Sequence, residues 1–344
     1  MNLTPRVAEK IGRNLHNRPG HPLKIIKDRI FRCFRATQCF DDLDPRVTVA
    51  ANFDALLIPK DHPSRKPTDT YYLDDDHVLR THTSAHQHAL LSAGYTSFLV
   101  AGDVYRKDEI DRNHYPVFHQ IEGVKLCAKP AEMLHRTIEQ LLGDLFPGCN
   151  YKRTESYFPF TEPSWEYEVE FEGAWLEVLG CGVIHPQIIE DAGLGGEEGW
   201  AFGLGLDRLA MILFGIPDIR LLWSEDERFL SQFKDGAITR FKPFSMMPPS
   251  YRDVTFWLPE GFSYSAFCEM VRDIGGDLVE SVKEIDSFTK EVSVENTMLT
   301  EKKTSKCFRI TYRSLHKTLH SVEVDLLQDR VRKAIRLELR GELR

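Results

Sequence analysis

The sequence has 344 residues, of which 42% are hydrophobic and 28% are charged, and its formal net charge is -8. This length exceeds what one hydrophobic core usually serves, so two domains are expected and a disordered chain is excluded. No apolar run approaches the roughly 20 residues that cross a bilayer, which excludes a membrane-spanning helix. The seven cysteines lack a C-x-x-C pair, which argues against a disulfide framework and a structural zinc site and favours a reducing compartment.

The amino-terminal third predicts helices separated by short elements. Apolar residues recur at spacings of three and four from Pro22 to Arg35, which indicates an amphipathic helix. Short strands and loops are expected between Phe40 and Arg65, because three prolines interrupt the segment. A strand from His77 to Thr83 should lead into a helix that Ser84 caps and that runs through Leu91.

The next elements predict an antiparallel sheet. The runs SFLVAGDVYR and YPVFHQIEGVKL form a predicted hairpin whose loop, KDEIDRNH, is long, charged and therefore usually functional or mobile. A helix is expected from Ala131 to Phe146. Strict alternation from Trp165 to Glu172, a turn at Gly173 and the return AWLEVLGCGV predict a second antiparallel ribbon. The fold class is therefore α/β in the α+β sense, with helices flanking an antiparallel sheet rather than a doubly wound one.

The carboxyl-terminal part follows a linker marked by three prolines, Pro243, Pro248 and Pro249. Its predicted elements are a strand (Asp253 to Leu258), a helix (Ser265 to Ile274), two strands (Leu278 to Phe288, Cys307 to Arg313) and a helix (Val322 to Leu337). This βαββα order is the ferredoxin-like plan without a clear last strand. From residue 302 onward there are 12 basic and 5 acidic residues, which indicates either a docked polyanion or a solvated helix face.

The segment GLGLDRL differs from a dinucleotide fingerprint, because Arg208 stands where a third small residue is needed. Gly203 and Gly205 lack side chains where a ligand could approach the backbone. A guanidinium in the first turn of a helix is poorly placed for the helix dipole. A bound polyphosphate or a flat base would compensate for that placement of Arg208.

The predicted hairpin carries complementary groups for such a ligand. Arg106 and His114 are cationic, and Phe118 offers a flat apolar surface on which a purine could stack. Each residue also has an ordinary structural explanation. Arg106 could pair with Asp108 or Glu109, Phe118 could belong to the core, and His114 could lie on the surface.

Two longer segments resemble motifs of a known family. VYRKDEIDRNHYPVFHQIEG resembles motif 2 of the class II aminoacyl-tRNA synthetases, and WAFGLGLDRLAMILF resembles motif 3, with Arg208 as its arginine. THTSAHQ, YFPFTEPSWE, WLEVLGCGV, FWLPEGFSYSAFCEMVRDIGGDLVESVKEIDSF and KCFRITYRS are similar to the single-chain organellar phenylalanyl-tRNA synthetases. The resemblance runs from about Asn14 to the end of the chain.

The resemblance implies a class II catalytic domain joined to a ferredoxin-fold anticodon-binding domain. The implied boundaries are an amino-terminal extension (1–20), the catalytic domain (21–240), a linker (241–250) and the anticodon-binding domain (251–344). Motif 1 is only vaguely present around Pro45 to Pro59, where related chains have a dimer helix and strand. A monomer is therefore expected.

For ATP, the resemblance implies that Arg106 holds the α-phosphate and the substrate carboxylate, and that His114 holds the terminal phosphates. Phe118 and Arg208 would hold the adenine ring, and Arg106 and Arg208 would be the catalytic residues. Asp108 stands where motif 2 usually has a glutamate, so its carboxylate reaches one methylene less far. The implied ATP-binding residues are Arg106, Asp108, His114, Phe118, Gly203, Gly205 and Arg208.

For phenylalanine, the resemblance implies one acid and three polar groups around the α-amino group, which suit an ammonium with three donors. Two aromatic residues would wall the pocket for the phenyl ring, and a small residue would form its bottom. The implied residues are His82, Ser84, Gln120 and Glu122 for the amino group, and Phe158, Phe160 and Ala201 for the ring. The alternative for the Phe158-Pro159-Phe160 run is ordinary core packing.

Metal binding is predicted at one place only. Glu162 and Glu177 are candidate Mg²⁺ ligands. His82, His86 and His88 are not expected to bind zinc, because no carboxylate or cysteine stands at ligand spacing.

The implied reaction is the ATP-dependent activation of L-phenylalanine, with Mg²⁺, and its transfer to phenylalanine tRNA. The carboxyl-terminal domain would bind the anticodon through a basic run, with Phe308 or Tyr312 stacking on a base. That run comprises Lys302, Lys303, Lys306, Arg309, Arg313 and Lys317.

The resemblance places the enzyme in the mitochondrial matrix, with another organelle or the cytoplasm as alternatives, and no membrane partner is expected. The basic amino end lacks the apolar region of a secretory signal. Two rival hypotheses remain open: a non-catalytic RNA-binding relative, and a ligase for another amino acid.

Overall fold

The computed structural model describes residues 2–35, 37–243, 247–293 and 300–344. The chain forms two compact units. The first comprises Met1–Arg106, Val117–Pro217 and Ser224–Phe241, and the second comprises Lys107–Pro116, Asp218–Trp223 and Lys242–Arg344. The predicted division at residues 20, 240 and 250 remains a proposal, and part of the predicted linker, 244–246, lies outside the described residues. In the part of the chain that is described, no helix is long and apolar enough to cross a membrane.

Ten α-helices occur in the described ranges. They are α1 Pro5–Ala8, α2 Pro22–Cys33, α3 Val49–Asn52, α4 Gln87–Ser92, α5 Pro130–Leu145, α6 Pro186–Asp191, α7 Leu206–Phe214, α8 Glu227–Leu230, α9 Tyr264–Gly275 and α10 Ser321–Leu337. The predicted helices α2 and α5 are confirmed to within two residues at each end. Both bury one apolar side, as their spacing predicts.

The first unit is built on a sheet of seven strands in the order β1-β4-β5-β9-β8-β7-β6. Its strands are β1 Gln38–Phe40, β4 Ser97–Tyr105, β5 Val117–Leu126, β6 Tyr151–Phe158, β7 Thr161–Phe171, β8 Ala174–Ile184 and β9 Gly199–Gly205. A separate pair consists of β2 Arg46–Thr48 and β3 His77–Leu79. The predicted hairpin and ribbon are confirmed, because β4 pairs antiparallel with β5 and β7 with β8.

Three predictions for this unit were wrong in detail. The edge strand β1 pairs parallel with β4, so the sheet is antiparallel except at that edge. The strand predicted from His77 to Thr83 ends at Leu79. Ser84 does not cap a helix, because it lies inside a 3-10 turn, Thr83–His86, that precedes α4.

The second unit contains a four-stranded sheet in the order β11-β12-β10-β13. Its strands are β10 Ser250–Trp257, β11 Val279–Ser293, β12 Thr300–Tyr312 and β13 Glu342–Leu343. The predicted ferredoxin-like plan is confirmed, and its missing last strand is the two-residue β13, which pairs with β10. Side chains from α9, α10 and one face of this sheet form a continuous core.

Two expectations for aromatic side chains in this unit were wrong. Phe308 and Tyr312 are both completely buried, so neither can stack on a base. They are four residues apart on β12, and even spacing along a strand places both on the same face. That face packs against the helices.

Candidate functional site

One face of the large sheet carries most of the predicted site residues. Residues paired across antiparallel strands point to the same face. Glu122 on β5 pairs with Gly203 on β9, which pairs in turn with Gly180 on β8. The neighbouring rows on this face contain Gln120 with Gly205, and Val124 with Ala201 and Gly182. We call this surface the open face.

Glycines keep part of the open face clear. A Cβ atom added to Gly203 would meet nothing within 4 Å, and one added to Gly205 would lie 3.9 Å from the Cβ of Arg208. At Gly180, by contrast, an added Cβ would lie 2.7 Å from the ring of Phe158. Gly203 and Gly205 therefore border free space, whereas Gly180 is the seat of an aromatic ring.

Glu122 is a buried acid on this face. It is 3% exposed, and the Thr83 hydroxyl donates to its Oε2 over 3.5 Å. Burial raises the pKa of Glu122 to about 7, although the hydroxyls of Ser84 and Thr83 hydrogen-bond to it and oppose the rise. A cation beside this carboxylate would compensate for the solvation free energy that the carboxylate loses on burial.

His82 lies just before the 3-10 turn with both ring nitrogens shielded from solvent and without a hydrogen-bond partner among the described residues. Burial and the nearby guanidinium of Arg106 lower the pKa of His82 to about 3, so the ring is neutral at pH 7. Unsatisfied buried polar atoms are costly. A polar ligand group would satisfy them.

Arg106 and Phe118 lie at the end of the β4–β5 hairpin. The Arg106 guanidinium lies 5.2 Å from the centroid of the Phe118 ring, and its Nε donates to the Thr81 carbonyl over 2.7 Å. Phe118 is only half-buried, so the core explanation for it does not hold. The guanidinium and the ring therefore form a partly open cationic and aromatic surface.

Arg208 is exposed in the first turn of α7. Among the described residues it makes no ion pair. The adjacent Asp207 is an acidic residue in the same helix turn. The β5–β9 ladder ends at Gln120 and Gly205. Phe118 precedes Gln120 on β5, and Arg208 in α7 follows Gly205. Both residues therefore lie just beyond that last pair.

The three residues expected around a phenyl ring lie together. The rings of Phe158 and Phe160 are stacked with centroids 5.7 Å apart and an interplanar angle of 14°. Phe160 packs against a cluster that contains Ala201 and Val124. Both phenylalanines are half-buried rather than enclosed in the core. Part of each ring therefore remains uncovered by the protein.

Asp108 and His114 belong to the second unit, together with the rest of the loop 107–116. The Asp108 carbonyl accepts from Arg272, and the side chain of Ile110 is part of that unit's core. His114 pairs with Asp111 over 2.9 Å, and this hydrogen bond raises the pKa of His114. The contact of Asp108 and His114 with a nucleotide remains a prediction.

Glu162 and Glu177 are both exposed on the ribbon. Within the described ranges, no three histidine, cysteine or acidic side chains are grouped so as to hold a metal ion. Magnesium does not require such a group, because it is commonly held by one or two carboxylates together with substrate phosphates. Two exposed carboxylates fit that mode, and their assignment remains a prediction.

Sequence reasoning missed three members of this site. Thr83 contacts Glu122, Gly180 seats the Phe158 ring, and the buried Asp207 bonds to His119 behind the open face. Thr83 could have been found from its position beside Ser84. The other two contacts depend on strand register, which no local pattern reveals.

The second unit has a separate cationic and aromatic surface on the sheet face away from its helices. Trp257 and Phe288 meet edge to face with centroids 6.0 Å apart. The Lys290 and Lys303 ammonium groups lie 4.5 and 5.3 Å from the Trp257 ring, and the Arg344 guanidinium lies 4.6 Å from the Phe288 ring. We call these five residues the Trp257 surface.

The basic run predicted to meet phosphates is largely paired with acids. Its ion pairs are Lys303 with Glu342, Lys306 with Glu284, Arg309 with Asp253, Arg313 with Glu280 and Lys317 with Glu323. Exposed pairs of this kind contribute little stability and exchange readily. Arg313 is different, because it and Glu280 are mostly buried.

Comparison with known proteins agrees with this geometry. A family model described as the tRNA synthetases class II core domain (F) matches residues 8–233. A model of the ferredoxin-fold anticodon binding domain matches residues 245–344. The fold is thus that of a class II aminoacyl-tRNA synthetase.

Full-length relatives narrow the class. The chain is 46% identical to the chloroplastic/mitochondrial phenylalanine–tRNA ligase of Arabidopsis thaliana, covering 100% of this chain and 82% of the relative. It is 44% identical to the mitochondrial enzyme of Mus musculus, covering 97% and 83%, and 37% identical to that of Saccharomyces cerevisiae, covering 100% and 92%. The chain belongs to the single-chain phenylalanine–tRNA ligase family.

Proposed function

We propose that this protein activates L-phenylalanine with ATP and transfers it to phenylalanine tRNA. The observation that carries the proposal is the arrangement of Glu122, His82 and the Phe158–Phe160 pair along the open face. A buried acid and a neutral histidine with unsatisfied nitrogens suit the α-ammonium group. Stacked aromatic side chains suit a phenyl ring by edge-to-face contact.

The ATP site is proposed at the neighbouring end of the open face. Arg106 would bind the α-phosphate and the amino-acid carboxylate, since a guanidinium binds two anionic oxygens at once. The adenine would lie between Phe118 and Arg208, and the space over Gly203 and Gly205 would admit the ligand. His114 and Asp108 would contact the terminal phosphates and the nucleotide.

The first step needs no nucleophilic side chain. A carboxylate oxygen of phenylalanine attacks the α-phosphorus of ATP in line, the bond to the β-phosphate bridging oxygen breaks, and pyrophosphate leaves with that electron pair. Arg106 and Arg208 bring the two anions together and offset the charge that develops between them. Mg²⁺, which Glu162 and Glu177 could help to hold, would neutralise phosphate charge. In the second step a terminal ribose hydroxyl of the tRNA displaces AMP from the adenylate.

The second unit would bind the anticodon part of the tRNA. The Trp257 surface combines aromatic rings with cations, which is the combination that single-stranded RNA recognition uses. Its exposed ring is that of Phe288, which is 44% exposed and takes the role expected of the buried Phe308 and Tyr312, whereas Trp257 is only 9% exposed. The exposed members of the basic run would contact phosphates after giving up their acidic partners.

We further propose that the protein acts as a monomer inside an organelle, in the mitochondrial matrix. The location is supported by the names of its relatives, which are mitochondrial or chloroplastic enzymes, and the monomer rests on the weak match to motif 1.

Phenylalanine-dependent exchange of labelled pyrophosphate into ATP tests the proposed activation step. We expect exchange with phenylalanine and at most weak exchange in a scan of the other nineteen amino acids. No exchange in a folded preparation that still binds tRNA would favour a non-catalytic RNA-binding relative. Strong exchange with a different amino acid would indicate a ligase of other specificity.

A further inference from the structure

A buried acid and histidine connect the two strands that carry the proposed adenine-binding residues. Asp207 is 2% exposed and His119 is completely buried. The Asp207 Oδ2 atom accepts from the His119 backbone N–H over 2.6 Å and lies 3.1 Å from its ring Nδ1. Because the Asp207 Oδ2 atom accepts the hydrogen bonds, the ring donates from Nδ1. One side chain thus holds both the main chain and the side chain of His119.

These bonds lie where the sheet itself stops connecting the two segments. The β5–β9 ladder ends at Gln120 and Gly205, after which β9 turns into helix α7. The next backbone N–H along β5, that of His119, therefore has no strand carbonyl of β9 opposite it. The Asp207 carboxylate takes the place of that carbonyl.

The pair is adjacent in sequence to both adenine-binding residues. His119 follows Phe118, and Asp207 precedes Arg208. Successive strand residues point to opposite faces, so His119 lies behind the sheet while Phe118 lies on the open face. Fixing His119 to Asp207 thereby fixes the backbone positions from which the Phe118 ring and the Arg208 side chain extend, between which the purine would lie.

We propose that Asp207 and His119 are positioning residues of the ATP site, which set the separation of Phe118 and Arg208 without touching the nucleotide. This inference rests on the proposed function. Its physical basis is preorganisation: a slot of fixed width binds a flat base without first ordering its walls. Loss of the pair should weaken ATP binding and leave the phenylalanine pocket intact.

The test uses two variants of His119 in the full-length protein. In His119→Asn the side-chain amide can replace the Nδ1 donor, whereas in His119→Leu the donor is lost at similar volume. We expect His119→Leu to raise the KM for ATP in pyrophosphate exchange about tenfold, the effect of one hydrogen bond to a charged group. The KM for phenylalanine should change less than about twofold, and His119→Asn should restore most of the affinity for ATP.

Tyr167→Phe is the matched control for a general loss of stability. It removes a part-buried side-chain hydrogen bond between the Tyr167 hydroxyl and the His135 Nδ1 atom, 2.9 Å apart, within the same unit but outside the site. We expect an unchanged KM for ATP in this variant. If the KM values for ATP and phenylalanine rise together in His119→Leu, or if Tyr167→Phe has the same effect, the pair is merely structural and the proposal is wrong.

Asp207→Asn keeps the test decisive if His119→Leu does not fold. Its neutral amide oxygen can still accept from both donors, but both bonds lose their charge assistance and weaken, so the KM for ATP should rise severalfold while that for phenylalanine stays constant. An unchanged KM for ATP in Asp207→Asn would overturn the proposal. Absence of phenylalanine-dependent exchange in the wild-type protein would instead overturn the proposed function, so the two failures are distinguishable.

Discussion

Glu122 is buried on the open face, where the hydroxyls of Thr83 and Ser84 are among its hydrogen-bond partners. These groups do not supply the opposite charge that a buried carboxylate needs, and its pKa is therefore raised to about 7. The nearby His82 is also neutral, because burial lowers the pKa of its ring. The site is thus prepared for a cationic group that the protein itself does not provide.

The raised pKa of Glu122 predicts a pH dependence. The carboxylate form binds the ammonium group, and this form becomes dominant as the pH rises through about 7. We therefore expect kcat/KM for phenylalanine to rise across that pH range, since this ratio reports ionisation of the free enzyme. Pyrophosphate exchange at saturating ATP measures it.

Glu122→Gln is the corresponding variant. It should lower kcat/KM for phenylalanine by at least about 30-fold, the cost of removing one partner of a buried charge pair, and should abolish the rise with pH. Its KM for ATP should be unchanged. If the rise with pH persists in Glu122→Gln, another group titrates and the assignment of Glu122 is wrong.

Ala201 sets the depth proposed for the phenyl pocket. It is 7% exposed and packs in the cluster against which Phe160 lies. Ala201→Gly removes one methyl group, so we expect it to admit para-chlorophenylalanine, measured as the ratio of kcat/KM for the two amino acids. Ala210→Gly, which shortens a buried residue of α7, is the control. Equal discrimination in the wild type and Ala201→Gly would contradict this pocket.

At the scale of elements, the sequence predicts the sheet best where one face is buried. The β4–β5 hairpin and the β7–β8 ribbon were found because apolar runs and strict alternation mark them. Strand β6, Tyr151–Phe158, was missed because most of its residues are exposed on both faces, so no alternation appears. Strand β1 has three residues, too few for a pattern.

Strand register, which sets the face that each side chain occupies, explains the errors in the second unit. Phe308 and Tyr312 were chosen as aromatic residues in a basic run, but the pairing of β12 with β10 and β11 decides which face they occupy. The face of that sheet away from the helices carries Trp257 and Phe288 instead. Composition therefore indicated the basic unit, whereas strand register was needed to select its exposed ring, Phe288.

Gly180 gives a prediction for the β8 strand. A Cβ at this position would lie 2.7 Å from the Phe158 ring, so Gly180→Ala must displace that ring. We expect the KM for phenylalanine to rise about tenfold, which corresponds to the 1–3 kcal/mol typical of overpacking, with no change in the KM for ATP.

Gly143→Ala is the matched control. Gly143 lies in α5, where an added Cβ meets nothing within 4 Å. Alanine favours helix over glycine, so this variant should be as active as the wild type and at least as stable. A Gly180→Ala variant with unchanged phenylalanine affinity would show that Phe158 does not line the site.

At the scale of the whole molecule, the two units do not correspond to two halves of the chain. The loop 107–116 interrupts the first unit in sequence, but it belongs to the second unit and has Ile110 in that unit's core. Truncation at residue 246 would expose that side chain and remove the hydrogen bonds from Arg272 to the loop. Point substitutions in the full-length chain therefore separate the two functions more cleanly than deletion.

Phe288→Ala tests the division of labour between the units, because the Phe288 ring is 44% exposed and can stack on a base, whereas Trp257 is 9% exposed. We expect about a tenfold rise in the KM for tRNA during aminoacylation, since a stacked base contributes 1–3 kcal/mol, and unchanged pyrophosphate exchange. Trp175→Ala is the matched control, because the Trp175 ring is 43% exposed and also has a cation nearby, Lys152 at 4.4 Å, but lies in the first unit. Equal effects of both substitutions on tRNA charging would argue against the Trp257 surface.

The central claim is that the open face binds phenylalanine and ATP side by side. A crystal structure of the full-length protein with both ligands tests it most directly. The account predicts the α-ammonium group on Glu122, the phenyl ring against Phe158 and Phe160, and the adenine between Phe118 and Arg208. Ligands bound at another surface, or an amino acid whose ring lies away from both phenylalanines, would contradict it.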